Sequence, residues 1–233
     1  MSACRSCGAR DVVEAVTIGS IAYHVCPSCS SMQHDAGFRP SDLERMDIYR
    51  DLVGYGEFCL NFGQSIFRTM PLIRHIAPGR AFCLEVNDGY LGSTWIHRGW
   101  SVDASSLSGI SANRARLMGL RVAMGDASAA ISSSNVDAYD AAFTDNGYTR
   151  FANPLAEIRT VVSRLRPGAG FLLRGPDPCS KDVISGATST LGRLNQTLPS
   201  QSAILRVAAE SKLVLVDRRE DGPDMTLILV KVS

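Results

Sequence analysis

Between residues 80 and 126, short apolar runs alternate with longer amphipathic ones. Residues 80–86, 101–105 and 121–124 are the apolar runs, and each ends in a carboxylate or a glycine turn. The segments between them reach His97-Arg98-Gly99-Trp100 and Leu117-Met118-Gly119-Leu120. Parallel strands need crossover connections of this length, so the pattern predicts a β-α-β-α-β unit in a mostly parallel sheet. Ligands of such sheets bind at the carboxyl ends of the strands, where Glu85, Asp103 and Asp126 are expected. The rhythm returns at residues 139–145, a predicted fourth strand. Residues 153–165 then repeat their apolar positions at helical spacing until Arg166-Pro167-Gly168-Ala169-Gly170 stops them, and 171–174 read as a fifth strand. Residues 204–212 fit a last helix, and 213–217 and 225–231 two strands around Glu220-Asp221-Gly222-Pro223. The stretch 180–199 is polar and rich in Ser and Thr, with no readable period.

Ahead of this core the pattern changes. Val12-Val13, Val16-Thr17-Ile18 and residues 21–25 read as a hairpin turning at Gly19-Ser20. The hairpin lies between Cys4-Arg5-Ser6-Cys7-Gly8 and Cys26-Pro27-Ser28-Cys29. Two C-x2-C pairs bring four sulfurs together for a tetrahedral zinc ion, with Zn–S of ~2.3 Å. Cys4, Cys7, Cys26 and Cys29 are therefore the expected ligands of a zinc ribbon over residues 1–37. Four thiolates leave no open coordination position, so this zinc is structural. His24 and His34 read as surface histidines.

Residues 38–78 read as a helical connector. Ser41 is the expected cap, with Asp42 and Glu44 in the first turn. Tyr49, Leu52, Tyr55, Phe58, Phe62, Ile66, Phe67, Met70 and Ile73 keep the helical period across a break at Gly54-Tyr55-Gly56, and Pro71 and Pro78-Gly79 end it. These side chains form either a core-facing stripe or a lid from which Tyr49 or Tyr55 reaches a substrate.

Leu84-Glu85-Val86, Arg98-Gly99-Trp100, residues 117–120, Gly125-Asp126-Ala127 and the closing strand pair make residues 77–233 resemble the class I S-adenosylmethionine-dependent methyltransferases. The resemblance implies an α/β, Rossmann-like core at 79–233, mostly parallel with an antiparallel last strand, behind the ribbon and the connector. It implies S-adenosylmethionine over the strand ends, near Glu85, Asn87, Gly89, Asp103, Asp126, Ala127 and Asp145. Asp103 would hold the ribose, and Asp126-Ala127 would flank the adenine. The layout is similar to zinc-containing sugar C-methyltransferases of bacterial deoxysugar pathways; ribosomal RNA guanine methyltransferases also carry a zinc module ahead of this core.

Three departures matter. Asn87 and Asp88 stand in the family's glycine-rich turn; Asn tolerates positive φ, but the Asp88 carboxylate would face the carboxylate of methionine. The acid closing strand two falls on Ser106, so Asp103 serves the ribose only if that strand ends at Val102. The Glu-His pair of the sugar enzymes is missing from Asn146-Gly147-Tyr148-Thr149-Arg150-Phe151. Tyr148 is left as the proton-transfer candidate, with an ordinary pKa near ~10. Three functions stay open: a methyltransferase for a small molecule such as a sugar nucleotide, a catalytically inactive binding or scaffold protein, or an RNA methyltransferase.

Charge narrows this list. The 233 residues carry a formal net charge of +1, which argues against a footprint for nucleic acid or anionic lipid. No apolar run approaches the ~20 residues of a membrane span. The seven cysteines, with no export signal, point to a cytoplasmic metal-binding protein rather than to disulfides. The expected partner is a small-molecule substrate or another protein.

Overall fold

The computed structural model describes residues 3–18, 21–36, 41–45, 76–87, 89–185 and 195–233. Three strands open the chain: β1 (Val13–Ile18), β2 (Ile21–Val25) and β3 (Met32–Gln33). The core follows with β4 (Arg80–Cys83), α1 (Tyr90–Ile96), β5 (Ser101–Ser106), α2 (Gly109–Leu117), β6 (Arg121–Met124) and α3 (Ala127–Ser133). Next come β7 (Tyr139–Asp145), a 3-10 turn over Gly147–Arg150, α4 (Pro154–Ser163) and β8 (Leu165–Pro176). The chain closes with α5 (Lys181–Ile184), β9 (Thr197–Leu198), α6 (Gln201–Glu210), β10 (Leu213–Asp221) and β11 (Asp224–Lys231).

The large sheet runs β10-β11-β8-β7-β4-β5-β6. Its strands are parallel from β8 to β6, and β11 lies antiparallel between β8 and β10. The parallel part is what the pattern predicts, and the whole is the Rossmann-like arrangement with an antiparallel last strand that the resemblance implies. Alternate residues of each strand feed opposite faces. Phe82, Tyr139, Ala142, Phe171 and Leu173 pack under α3, α4 and α6. Their neighbours Cys83, Phe143 and Leu172 pack with Trp95 and Trp100 on the other side, where Trp95 stacks on Phe143 at 4.5 Å. The crossover helices start on side-chain caps: Ser108 accepts from the Ser111 amide, Asn153 from Ala156 with Pro154 behind it, and Ser200 from Ala203. Strand five begins earlier than expected, because the Arg166–Gly170 stretch is drawn into β8 through an irregular register against β7.

Within the unreadable stretch before residue 200, residues 195–198 hold the ribbon. Its sheet runs β1-β2-β3-β9, so the last strand comes from the core domain, pairing Met32 with Leu198 and Gln33 with Thr197. Ile21, Tyr23, Met32, Val183 and Leu198 form a small shared core. Arg5 donates to the carbonyls of His34 and Gln196 at 3.2 and 3.4 Å, and the Ser200 amide donates to Ser31 Oγ at 3.0 Å. His34 is buried rather than at the surface, edge-on to Tyr23 at 5.0 Å. Residues 41–45 are helical and bury Leu43. The rest of the predicted connector helix, Tyr49 and Tyr55 included, lies outside the described residues, as does Asp88. No helix among the described residues is long and apolar enough to cross a membrane.

Candidate functional site

The carboxyl ends of β4, β5, β6 and β7 form the site. After β4 the chain turns sharply: Glu85 and Asn87 both have φ of 58°, and Gly89 has 86°. Left-handed backbone is uncommon outside Gly and costs more for Glu than for Asn. Here backbone bonds pin it, from Leu84 N to Phe143 O at 2.9 Å and from Val86 N to Ser105 O at 2.8 Å. Asn87 thus takes the conformation for which its type was read. At Gly89 a Cβ would lie 2.9 Å from Ala115, so glycine lets α1 enter against α2.

Inside the turn, Glu85 is buried and fully engaged. One carboxylate oxygen accepts the Leu107 amide at 2.8 Å, and the other pairs with Arg150 at 3.2 Å. The Arg150 side chain is 5% exposed and also donates to Asn87 Oδ1 at 2.7 Å. The 3-10 turn carrying Arg150 presses on Glu85 so closely that a Cβ on Gly147 would sit 2.6 Å from Glu85 Cβ. Asn87 in turn donates to the Asp145 carbonyl at 3.4 Å, while the Asp145 carboxylate pairs with Arg174 at 2.6 Å.

Asp103 is not at this end of the sheet. β5 continues past Val102 to Ser106, so Asp103 stands in the amino half of the strand, opposite Arg121 in register. It bonds Arg121 at 2.5 Å and the Tyr139 hydroxyl at 3.1 Å. Ser106 occupies the strand end, and its hydroxyl closes onto the Ser108 backbone. Asp126 is at the end of β6, where its carboxylate caps α3 by accepting the Ala129 amide at 2.8 Å. The Ala127 amide donates to Glu157 of α4 at 2.8 Å. Burial raises the pKa of Glu157, the Ala127 amide opposes that rise, and the charge of Asp126 adds to it.

Tyr148 does not have the surroundings of a proton carrier. It is fully buried against Gly175, and its hydroxyl has no hydrogen-bond partner among the described residues. Burial pushes its pKa far above the ordinary range, and the charges of Asp224 and Asp177 push the same way. A general base must accept protons near the operating pH, so this phenol is unsuited to the task.

In the ribbon, Cys4, Cys7, Cys26 and Cys29 place their sulfurs within 4.8 Å of one another. Cys4 and Cys29 are 3.6 Å apart, and Cys7 and Cys26 3.5 Å. The edge of a tetrahedron with ~2.3 Å metal–sulfur bonds is ~3.8 Å, so the cluster has the dimensions of a four-thiolate metal site. Burial lifts Cys4 to about 12. Burial acts on Cys26 too, but the Cys29 amide, the Cys7 side chain and the Ser28 amide bring it down to about 7.

Solved structures share this architecture. Magnesium protoporphyrin IX methyltransferase from Synechocystis, with S-adenosylhomocysteine bound, superposes with a TM-score of 0.60 at 13% identity, over 81% of this chain and 94% of its own. The chain has the fold of the class I S-adenosylmethionine-dependent methyltransferases. The 1,6-didemethyltoxoflavin-N1-methyltransferase of Burkholderia thailandensis, with its substrate and S-adenosylhomocysteine, gives 0.54 at 15% identity over 95% of this chain and 100% of its own. A chain from the complex of the Haloferax volcanii Trm112 methyltransferase activator with a methyltransferase gives 0.57 at 11% identity, over 77% and 95%. No family model matches this sequence, and no curated protein matches it either.

Two residues of the site had no place in the sequence reading. Arg150 lies in the loop where the sugar enzymes carry their Glu-His pair, and a cation there, near a strand-end acid, was a readable signal. Glu157 meets Ala127 from thirty residues away, and no local pattern announces that contact.

Proposed function

We propose that this chain is a methyltransferase-fold binding protein whose own side chains occupy the cofactor's usual contacts, and that it acts with a protein partner rather than by methyl transfer. The observation that carries this is the buried Arg150 guanidinium, held between Glu85 and Asn87 in the first turn. Glu157 on the Ala127 amide and Ser106 at the end of β5 support it. A ligand entering this turn must part Glu85 from Arg150 in a dry site. Breaking such a pair costs ~3–5 kcal/mol, or roughly a hundred- to a few-thousand-fold in affinity. The Haloferax complex is a precedent for this fold working beside a second protein. Zinc is the ion we assign to the four cysteines, because a closed tetrahedral thiolate set suits it and leaves it a structural role.

A second reading keeps the enzyme: a methyltransferase for a small molecule. It is favoured by the left-handed Asn87 and Gly89, which preserve the turn, and by neighbours solved with S-adenosylhomocysteine. In it Arg150 would leave Glu85 to take the methionine carboxylate and offset Asp88, while Asp126 and Ala127 would meet the adenine. Calorimetry with S-adenosylmethionine and S-adenosylhomocysteine on folded, zinc-loaded protein separates the two. No heat up to millimolar ligand is expected; micromolar binding would overturn the binding-protein reading.

A further inference from the structure

We propose that the cleft at the amino ends of β4, β5 and β6 binds an organic diphosphate of nucleotide size. It lies at the end of the sheet opposite Glu85 and Asn87, so it is separate from the site described above. Arg80 opens β4 and Arg121 opens β6, on either side of β5, in register with Ser101 and Asp103. With Arg116 from the last turn of α2 they line one cavity of about 490 Å³. That volume falls in the range of roughly 300–1,000 Å³ typical of small-molecule sites.

The chemistry of the lining points to the ligand. Three guanidinium groups face a single carboxylate, Asp103, so the cleft holds a local excess of two positive charges in a chain whose formal net charge is +1. Two of the three are fixed in place. Arg121 is anchored through Nε to Asp103, which the Tyr139 hydroxyl holds from behind. Arg116 spans the edge of the sheet, donating to the Val122 carbonyl at 2.8 and 3.2 Å and to Asn113 at 2.9 Å. Arg80 has no side-chain partner among the described residues, and one carboxylate does not balance three cations. A structural role accounts for Arg121 and leaves Arg80 unexplained.

Guanidinium forks match pairs of phosphate oxygens, and a diphosphate carries the charge this cleft lacks. Val122, Ala123, Ala130 and Val136 give the cavity an apolar wall against which a base or another flat group can lie. Asn135 and the α3-terminal Ser133 and Ser134 supply polar atoms at its edge. An anion without an apolar portion would leave that wall uncovered.

The test is calorimetric titration of the full, zinc-loaded chain with ADP, UDP, inorganic pyrophosphate and succinate, at low salt and again at high salt. Binding of at least one nucleoside diphosphate in the micromolar range is expected, with pyrophosphate weaker, succinate weaker still, and affinity falling as salt rises. Arg80→Ala and Arg116→Ala alter exposed side chains and should leave the fold intact. Each should weaken binding about tenfold or more, the scale of one charge-assisted contact. Absence of heat with every diphosphate, equal binding of succinate, or unchanged affinity in both variants would overturn the proposal. S-adenosylmethionine probes only the opposite end of the sheet, so the two readings fail separately.

Discussion

Replacing Arg150 by Met tests whether the first turn is held shut by a charge pair. The Glu85 side chain is fully buried, and Arg150 faces it with an opposite charge at 3.2 Å. Without Arg150 the buried carboxylate keeps the Leu107 amide but loses the guanidinium that offsets its charge. That state costs ~3–5 kcal/mol relative to the intact pair. Glu85→Gln can still accept from Leu107 but strands the guanidinium with Asn87, at a cost of similar order. The double variant has no buried charge at this point. Its loss should therefore fall short of the sum of the singles by about 2–3 kcal/mol, in the range measured for residues in direct contact. Urea unfolding of the four proteins measures this coupling, and equal m-values would show that the unfolded states are comparable. Additive losses would refute the pair as a unit. So would a stable Arg150→Met protein, which would mean that Glu85 is solvated or protonated without cost.

Tyr148→Phe should stabilise the chain by about 1 kcal/mol, because it removes a buried hydroxyl that has no partner among the described residues; for a chain of this size that is a rise of roughly 2–4 °C in Tm. A loss of more than ~1 kcal/mol would show that the hydroxyl is bonded. The same residue sets an alkaline limit. Burial raises the folded pKa of Tyr148, and Tyr139 is raised to about 12, so the stabilisation is whole below the unfolded phenol value of ~10 and is lost as pH climbs above it. Chemical unfolding above that pH should show a shallower decline for Tyr148→Phe than for the natural chain.

The architecture was legible because its central strands are buried on both faces and its helices on one, which writes two distinct periods into the chain. Glu85 and Asp126 fell at strand ends as read, because each follows an apolar run and precedes a helix. Asp103 was misplaced for the same physical reason that the rule works elsewhere. β5 runs on through Asp103, Ser105 and Ser106, which are buried but paired: Asp103 with Arg121 and Tyr139, and Ser105 with the Glu85 amide. A strand whose polar residues are satisfied by other strands has no local sign of continuing. Cysteine spacing revealed the four-thiol cluster, since both pairs are local. The strap that docks the ribbon stayed hidden, because Thr197 and Leu198 pair with Met32 and Gln33 across more than 160 residues.

That strap makes the ribbon part of the site's support, and metal removal tests the connection. Ser200 bonds the carbonyl of Cys29 in the four-cysteine cluster, and Arg5, between Cys4 and Cys7, holds the Gln196 carbonyl. Gln196 then donates to the Arg150 carbonyl at 2.7 Å, and Asn195 accepts from Thr149 at 2.6 Å. The backbone carrying Arg150 is therefore tied to the cysteine knuckles through a few hydrogen bonds. Each is worth only ~0.5–1.5 kcal/mol, so they hold as a set while the ribbon stays folded. A structural zinc contributes far more, ~10–16 kcal/mol in small zinc peptides, and its loss should release the strap as a unit. Purified protein should carry one zinc per chain, and hydrogen exchange after chelation should quicken at residues 147–152 and 195–200 as well as in the ribbon. Residues 101–117, which share no hydrogen bond with the strap among the described residues, should keep their protection. Faster exchange confined to residues 3–36 would show that the ribbon is a passive appendage, and less than one equivalent of zinc that added zinc does not restore would remove the metal from the argument.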